Sequence, residues 1–123
     1  MVRVLIVDDL EFMRTVLREI LERQGFEVAG EARNGREGVH EFERLKPDLV
    51  LMDINMPEMD GIGALKRIRI SDPKAKVIMC STISEQDMIF RAIQMGARDY
   101  VVKPFREERI RSALSKAAGT GAR

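Results

Sequence analysis

Short apolar runs alternate with stretches of helical period five times along this chain, a pattern that predicts a parallel sheet covered by helices on both faces. Val4 to Val7 opens a first strand over about 3–8. Phe12, Met13, Val16, Leu17, Ile20 and Leu21 then recur at a helical period, with Arg14, Arg18, Glu19, Glu22 and Arg23 set opposite them, and Gly25 ends that helix. A second strand spans about 27–31, and Asn34-Gly35 turns the chain into a helix carrying Val39, Phe42 and Leu45, which stops before Pro47. Leu49 to Asp53 is the third strand. A loop through Gly61 leads to a helix with Ile62, Leu65 and Ile68, closed by Ser71-Asp72-Pro73, and Val77 to Ser81 is the fourth strand. Ser84 and Asp87 form a hydroxyl-x-x-acid pair expected to open a fourth helix that Gly96 closes. A fifth strand at about 99–102 and a fifth helix at about 106–117 complete one domain over 1–117, and 118–123 reads as a frayed tail.

Strands this apolar must be covered on both faces, and right-handed crossovers then leave few topologies. The expected fold is α/β: a doubly wound sheet in the order 2-1-3-4-5, with ligands bound outside the carboxyl ends of the strands, where the winding reverses. Polar residues fall at that edge. Asp8 and Asp9 end strand one, Asp53 ends strand three, Ser81 ends strand four and Lys103 follows strand five. Each alone reads as a turn former, a cap or a solvated charge, but their joint occurrence on four neighbouring strands reads as a site.

Three carboxylates within ~5 Å repel by about 1 to 4 kcal/mol per pair, so a cation is expected among them. All-oxygen ligands without His or Cys select a hard ion, Mg²⁺ with Mn²⁺ as a substitute, and such a site serves phosphoryl chemistry. Asp8 and Asp9 are adjacent and suited to share the metal. Asp53 stands apart, with Lys103 and Ser81 expected to flank it, and is assigned as the phosphoryl acceptor as well as a ligand. The backbone carbonyl of Asn55 is expected to complete the metal shell, while Pro57 and Gly61 shape the following loop.

Composition narrows the partners. Among 123 residues, 21 Lys and Arg balance 20 Asp and Glu for a net charge of +1, so no global field attracts nucleic acid or anionic lipid. No apolar run approaches the ~18 residues a membrane span needs, and the first residues do not read as a signal peptide, so a cytoplasmic location is expected. Cys80 is the only cysteine and His40 the only histidine; they are read as a core residue and a surface residue. Helix four carries Met88, Ile89, Phe90, Ala92, Ile93 and Met95, more apolar residues than one buried face needs. With Arg91, Arg98 and Arg109 nearby, part of this set is expected to form a partner patch.

VLIVDD at 4–9, Met13-Arg14, NG at 34–35, Asp53 with MPEMDG at 56–61, Ser81, Gly96-Ala97 and YVVKPF at 100–105 together resemble the response-regulator receiver family, and within it the stand-alone chemotaxis members. The resemblance implies a flavodoxin-like fold and Mg²⁺-dependent transfer of a phosphoryl group from a kinase phosphohistidine to Asp53, followed by slow self-catalysed hydrolysis. It further implies a cis bond between Lys103 and Pro104, which aims the ammonium at the phosphoryl group. Ser81 and Tyr100 take the switch positions, and Met88, Ile89, Phe90, Arg91 and Tyr100 the partner surface. The partners implied are a chemotaxis-type histidine kinase, a flagellar motor switch protein or other downstream protein, and a phosphatase, with the chain a monomer. Two positions depart from the family pattern: Thr82 follows the strand-four hydroxyl where Ala or Gly is usual, and Ile83 replaces a residue that is often polar. Thr82 should narrow access to the acceptor, and Ile83 should slow hydrolysis. Rival readings are a phosphorelay intermediate, a receiver excised from a longer regulator, and a Mg²⁺-dependent phosphohydrolase. The last needs a cap over its substrate, and all the loops here are short.

Overall fold

A computed structural model describes residues 1–119. Its elements are β1 (Arg3–Val7), α1 (Glu11–Arg23), β2 (Glu27–Ala32), α2 (Gly35–Leu45), β3 (Leu49–Asp53), α3 (Gly61–Ser71), β4 (Val77–Ser81), α4 (Gln86–Gln94), β5 (Asp99–Val102) and α5 (Glu107–Ala118). The strands form one parallel sheet in the order β2-β1-β3-β4-β5, as expected. The expected tail falls mostly outside the described residues, of which Gly119 is the last, in the left-handed conformation that ends α5.

Alternation along the strands assigns each side chain to one of two cores. Leu5, Val7, Val50, Met52, Val77 and Met79 pack with Phe42, Leu65, Ile68 and Ala92 under α2, α3 and α4. Val4, Ile6, Leu49, Leu51, Ile78 and Val101 pack with Leu17, Leu21, Ile110 and Leu114 under α1 and α5. Each fully buried Leu or Ile contributes about 1.5–3 kcal/mol, so truncating one such as Leu51 to Ala should cost about 2–5 kcal/mol. Asn34 caps α2 by accepting from the Glu37 N–H at 2.8 Å, and Asp60 caps α3 by accepting from the Gly63 N–H at 2.8 Å.

Two local expectations are corrected. The apolar stripe of α1 is broader than the face that the sheet accepts. Leu17, Ile20 and Leu21 are buried, but Phe12, roughly 140° round the helix from Leu17, is 75% exposed, and Arg14 takes a place on the buried face at 9%. The fourth helix does not open on Ser84 and Asp87. Thr82 and Glu85 form the reciprocal capping box over a short 3₁₀ turn at Ile83–Glu85, and α4 follows from Gln86. The chain holds two overlapping hydroxyl-x-x-acid pairs, and the longer Glu side chain reaches back to the Thr82 N–H at 2.8 Å. Ser84 instead shares a hydroxyl hydrogen bond with Thr82 at 2.9 Å.

Candidate functional site

The sheet order brings the expected site residues together at one edge. β1 and β3 are neighbours with Val7 opposite Met52, so Asp8, the first residue beyond β1, lies beside Asp53 at the end of β3. Carboxylate oxygens of Asp8, Asp9 and Asp53 lie within 4.8 Å of one another. Asp8 and Asp53 are buried, the latter 5% exposed, while Asp9 is exposed. The Lys103 Nζ stands 3.3 Å from Asp8 Oδ2 and 3.0 Å from Asp53 Oδ1, a cation between two of the acids. Its backbone N–H donates to the Ser81 carbonyl at 2.7 Å, which extends the β4–β5 ladder into the site, and the Lys103–Pro104 peptide is cis.

Burial, reinforced by the Asp8 charge, pushes the Asp53 carboxyl up to about 6 against the opposing pull of Lys103. Burial also disfavours the Lys103 ammonium, but Asp53 and Asp8 outweigh it and hold its pKa above the ordinary lysine value. The metal-free cluster therefore carries an unfavourable excess of negative charge that a hard cation would relieve. The donor set, carboxylate oxygens with no nitrogen or sulfur, fits such an ion, and the exposed Asp9 leaves the cluster open to water. Beside it, Ser81 is fully buried, and its Oγ has no hydrogen-bond partner among the described residues.

The loop after Asp53 is shaped by close backbone approach. The Gly61 N–H donates to the Ile54 carbonyl at 2.7 Å, and a Cβ on Gly61 would lie 2.0 Å from the Asp53 carbonyl oxygen. Gly61 is thus required by space at the acid itself. Pro57 is exposed, and its carbonyl accepts from the Met59 N–H at 2.8 Å in a turn that puts Glu58 at positive φ. Met56 is buried against the core and anchors this loop, while Asn55 and Pro104 are exposed.

Three groups, Arg14, Glu31 and Gly35, were missed from sequence. Arg14 donates to the Asp8 carbonyl and to Glu31, so it reaches the site from within α1. Gly35 donates to the Met59 carbonyl at 3.0 Å, tying α2 to the loop beyond Asp53. A signal for Arg14 was present: it lies three residues before Leu17, on the face that the core takes.

The expected partner surface is partly redrawn. Ile89, at 9% exposed, and Ala92 belong to the core, and Met88 packs against that core half-buried. Residues spaced three apart share the face of α4 that meets the sheet, so Ile89 is spent on packing. Phe90 is 66% exposed, and Arg91, Ile93 and Met95 are exposed with it. A groove of about 670 Å³ runs between α4 and β5, lined by Ile83, Gln86, Phe90, Ile93, Tyr100 and Val102, with Ile89 at its floor. Tyr100, 39% exposed, lies opposite Met79 one pleat before the Ser81–Val102 pair, on the same face of the sheet as Ser81. The Arg109 guanidinium lies 5.7 Å from the Tyr100 ring centroid and donates to the Tyr100 carbonyl at 2.6 Å.

The model of the response regulator receiver domain matches residues 4–115 of this chain. The chain is 55% identical over 114 residues to the chemotaxis protein CheY of Thermotoga maritima, covering 93% of this chain and 95% of that protein. It is 52% identical over 114 residues to CheY of Bacillus subtilis, with the same coverage of 93% and 95%. Among solved structures, it superposes on a chain of the CheX-CheY-BeF3-Mg complex from Borrelia burgdorferi with a TM-score of 0.89 and 32% identity, over 94% of this chain and 87% of that one. A receiver domain protein from Clostridium thermocellum matches with a TM-score of 0.92 and 26% identity, over 97% of this chain and 95% of that one.

Proposed function

This chain belongs to the response-regulator receiver family, and from that premise we propose that it is a phosphorylation-activated switch of chemotaxis, taking a phosphoryl group on Asp53 and exchanging protein partners through the α4–β5 groove. The observation that carries the reading is the strand-end cluster: three carboxylates within 4.8 Å, Lys103 bridging two of them, and a fully buried Ser81 hydroxyl with no partner among the described residues.

Asp8, Asp9 and Asp53 would hold Mg²⁺, with Mn²⁺ as a substitute and the Asn55 carbonyl as a further ligand. Bound there, the ion would neutralise charge on the phosphoryl oxygens. A carboxylate oxygen of Asp53 attacks phosphorus, an O–P bond forms as the P–N bond to a kinase phosphohistidine breaks, and the imidazole leaves. Deprotonated Asp53 is the nucleophile, so its carboxyl near 6 in the metal-free site must be ionised first. Lys103 keeps its charge throughout and pairs with a phosphoryl oxygen in place of Asp53.

The Ser81 Oγ has no bond to give up, so it is free to donate to the new phosphate. A hydrogen bond to a charged group is worth about 1.5–3 kcal/mol, enough to shift a two-state element by roughly ten- to a hundredfold. Tyr100 is that element: half out of the groove, it fills space near Ser81 when the serine moves. The partner that reads this change is of the flagellar motor switch class, and the phosphate donor is a chemotaxis-type histidine kinase. A cytoplasmic place fits both partners, and among the described residues no helix is long and apolar enough to cross a membrane.

Acetyl phosphate with Mg²⁺ should add one acid-stable, base-labile phosphoryl group at Asp53, and chelation should prevent it. Undiminished labelling of Asp53→Asn would defeat the assignment. Capture experiments with and without beryllofluoride then separate a motor-switch partner, which binds the activated form, from a histidine phosphotransfer domain, whose recovery in its place sinks the chemotaxis role.

A further inference from the structure

Arg14 is a charged residue set into the buried face of a helix, where an apolar side chain of similar volume would stabilise the fold as well or better. Its contacts point away from a purely structural role. Nη1 donates to the Asp8 carbonyl at 2.7 Å, and Nε donates to Glu31 Oε1 at 3.0 Å. Glu31 also takes Arg18 on its other oxygen, at 2.8 Å from Nε. Glu31 lies on β2 beside Ala32, whose carbonyl accepts from the Asp8 N–H at 3.1 Å. Asp8 Oδ1 accepts from the Leu10 N–H at 2.9 Å. The backbone of Asp8 is thus clamped on both sides, its N–H by β2 and its carbonyl by Arg14, and Arg14 is itself held by β2.

We infer that Arg14, oriented and neutralised by Glu31, is a positioning residue that holds the Asp8-Asp9 turn in the geometry that binds the divalent cation. The inference rests on the metal reading proposed above. The pairing with Glu31 is what makes a guanidinium tolerable here. An unpaired buried cation beside the cluster would repel the incoming metal, whereas the Arg14–Glu31 pair presents the donor to the carbonyl with little net charge. Arg18 bonds to Glu31 and Glu22 and, among the described residues, makes no hydrogen bond to Asp8, so it supports the acid and not the turn.

The test is calorimetric titration of the full chain, stripped of metal, with Mg²⁺, alongside metal-free urea unfolding. Arg14→Met, which keeps the apolar stem, should weaken Mg²⁺ binding about tenfold, and Arg14→Lys should recover part of the loss by donating to the carbonyl alone. Arg18→Met should bind within about twofold of the parent. In labelling by acetyl phosphate, the Mg²⁺ concentration for half-maximal rate should rise in Arg14→Met by the same factor, with the rate at saturating Mg²⁺ unchanged. Glu31→Gln retains an acceptor for Arg14 and should lower the affinity about threefold, an arm that stands even where Arg14→Met fails to fold. Parent-like affinity in Glu31→Gln or in folded Arg14→Met overturns the inference, as does a loss in Arg18→Met equal to that in Arg14→Met. A parent that binds no Mg²⁺ overturns the proposed function along with it, and so the two failures are distinct.

Discussion

Asp8 and Ser81 are both buried at strand ends of one sheet, yet their surroundings are opposite. Every polar atom of Asp8 has a partner: its N–H is held by Ala32, its carbonyl by Arg14, one carboxylate oxygen by the Leu10 N–H and the other by Lys103. The Ser81 hydroxyl has none among the described residues, and the chain beyond it passes through a single 3₁₀ turn into a helix whose Phe90 and Ile93 face outward. A site that must bind a small ion benefits from ligands held before the ion arrives. A site that must report an event needs a group with an unused bond and somewhere to go. On the function proposed above, the β1 side meets the first requirement and the β4 side the second, with Asp53 and Lys103 between them.

Asp53→Asn breaks this arrangement at its centre and has the largest expected effect, complete loss of acid-stable label, read by intact-mass spectrometry. Next in size is Gly61→Ala. Its Cβ would meet backbone at 2.0 Å, so the Asp53 turn must shift, at a cost of about 3 kcal/mol in urea unfolding. A parent-like midpoint would show that the loop yields freely and that the acid is held less firmly than described.

The charge on the cluster predicts an unusual pH dependence. Burial and the Asp8 charge hold the Asp53 carboxyl at about 6 in the folded protein, against an ordinary value of 3.8, so the folded state holds its proton more tightly than the unfolded chain. Metal-free stability from this group is therefore full below about 4 and is lost as pH rises towards 6, by at most about 3 kcal/mol. Asp53→Asn removes this carboxyl, so the metal-free variant should gain on the parent between about pH 4.5 and 7, and saturating Mg²⁺ should erase the gain. A difference that does not change with pH would remove the excess charge on which the metal argument rests.

On the open side the effects on the fold should be small. Ser81→Ala removes no hydrogen bond and should alter stability by less than about 1 kcal/mol, while the gain in partner affinity on beryllofluoride addition falls about tenfold. Phe90→Asp should change stability least, within about 0.5 kcal/mol, and abolish capture of the partner while labelling proceeds normally. Normal capture by Phe90→Asp would move the partner surface off the α4–β5 groove.

Much of this was legible along the chain. The five apolar runs, the positions of Asp8, Asp9, Asp53, Ser81 and Lys103 at one edge, and the overfilled apolar set of α4 all follow from local periodicity and from the few topologies open to a parallel sheet. Where two local patterns competed, sequence alone chose wrongly. The Thr82–Glu85 and Ser84–Asp87 pairs overlap, and only the three-dimensional start of α4 decides between them.

What the sequence by itself determined is the set of elements and the chemistry at their ends, because side-chain period and strand-end polarity are properties of neighbouring residues. Tertiary structure decided which way α1 rolls on the sheet, and with it that Arg14 turns inward to Asp8 and Glu31 while Phe12 turns to solvent. It also decided that Ile89 is spent on the core and that Gly61 must be glycine for space, since a Cβ there meets the Asp53 backbone. Arg14 meets Glu31 17 residues away, and all these contacts depend on how α1, the loop after β3 and α4 pack against the sheet, which no local window contains.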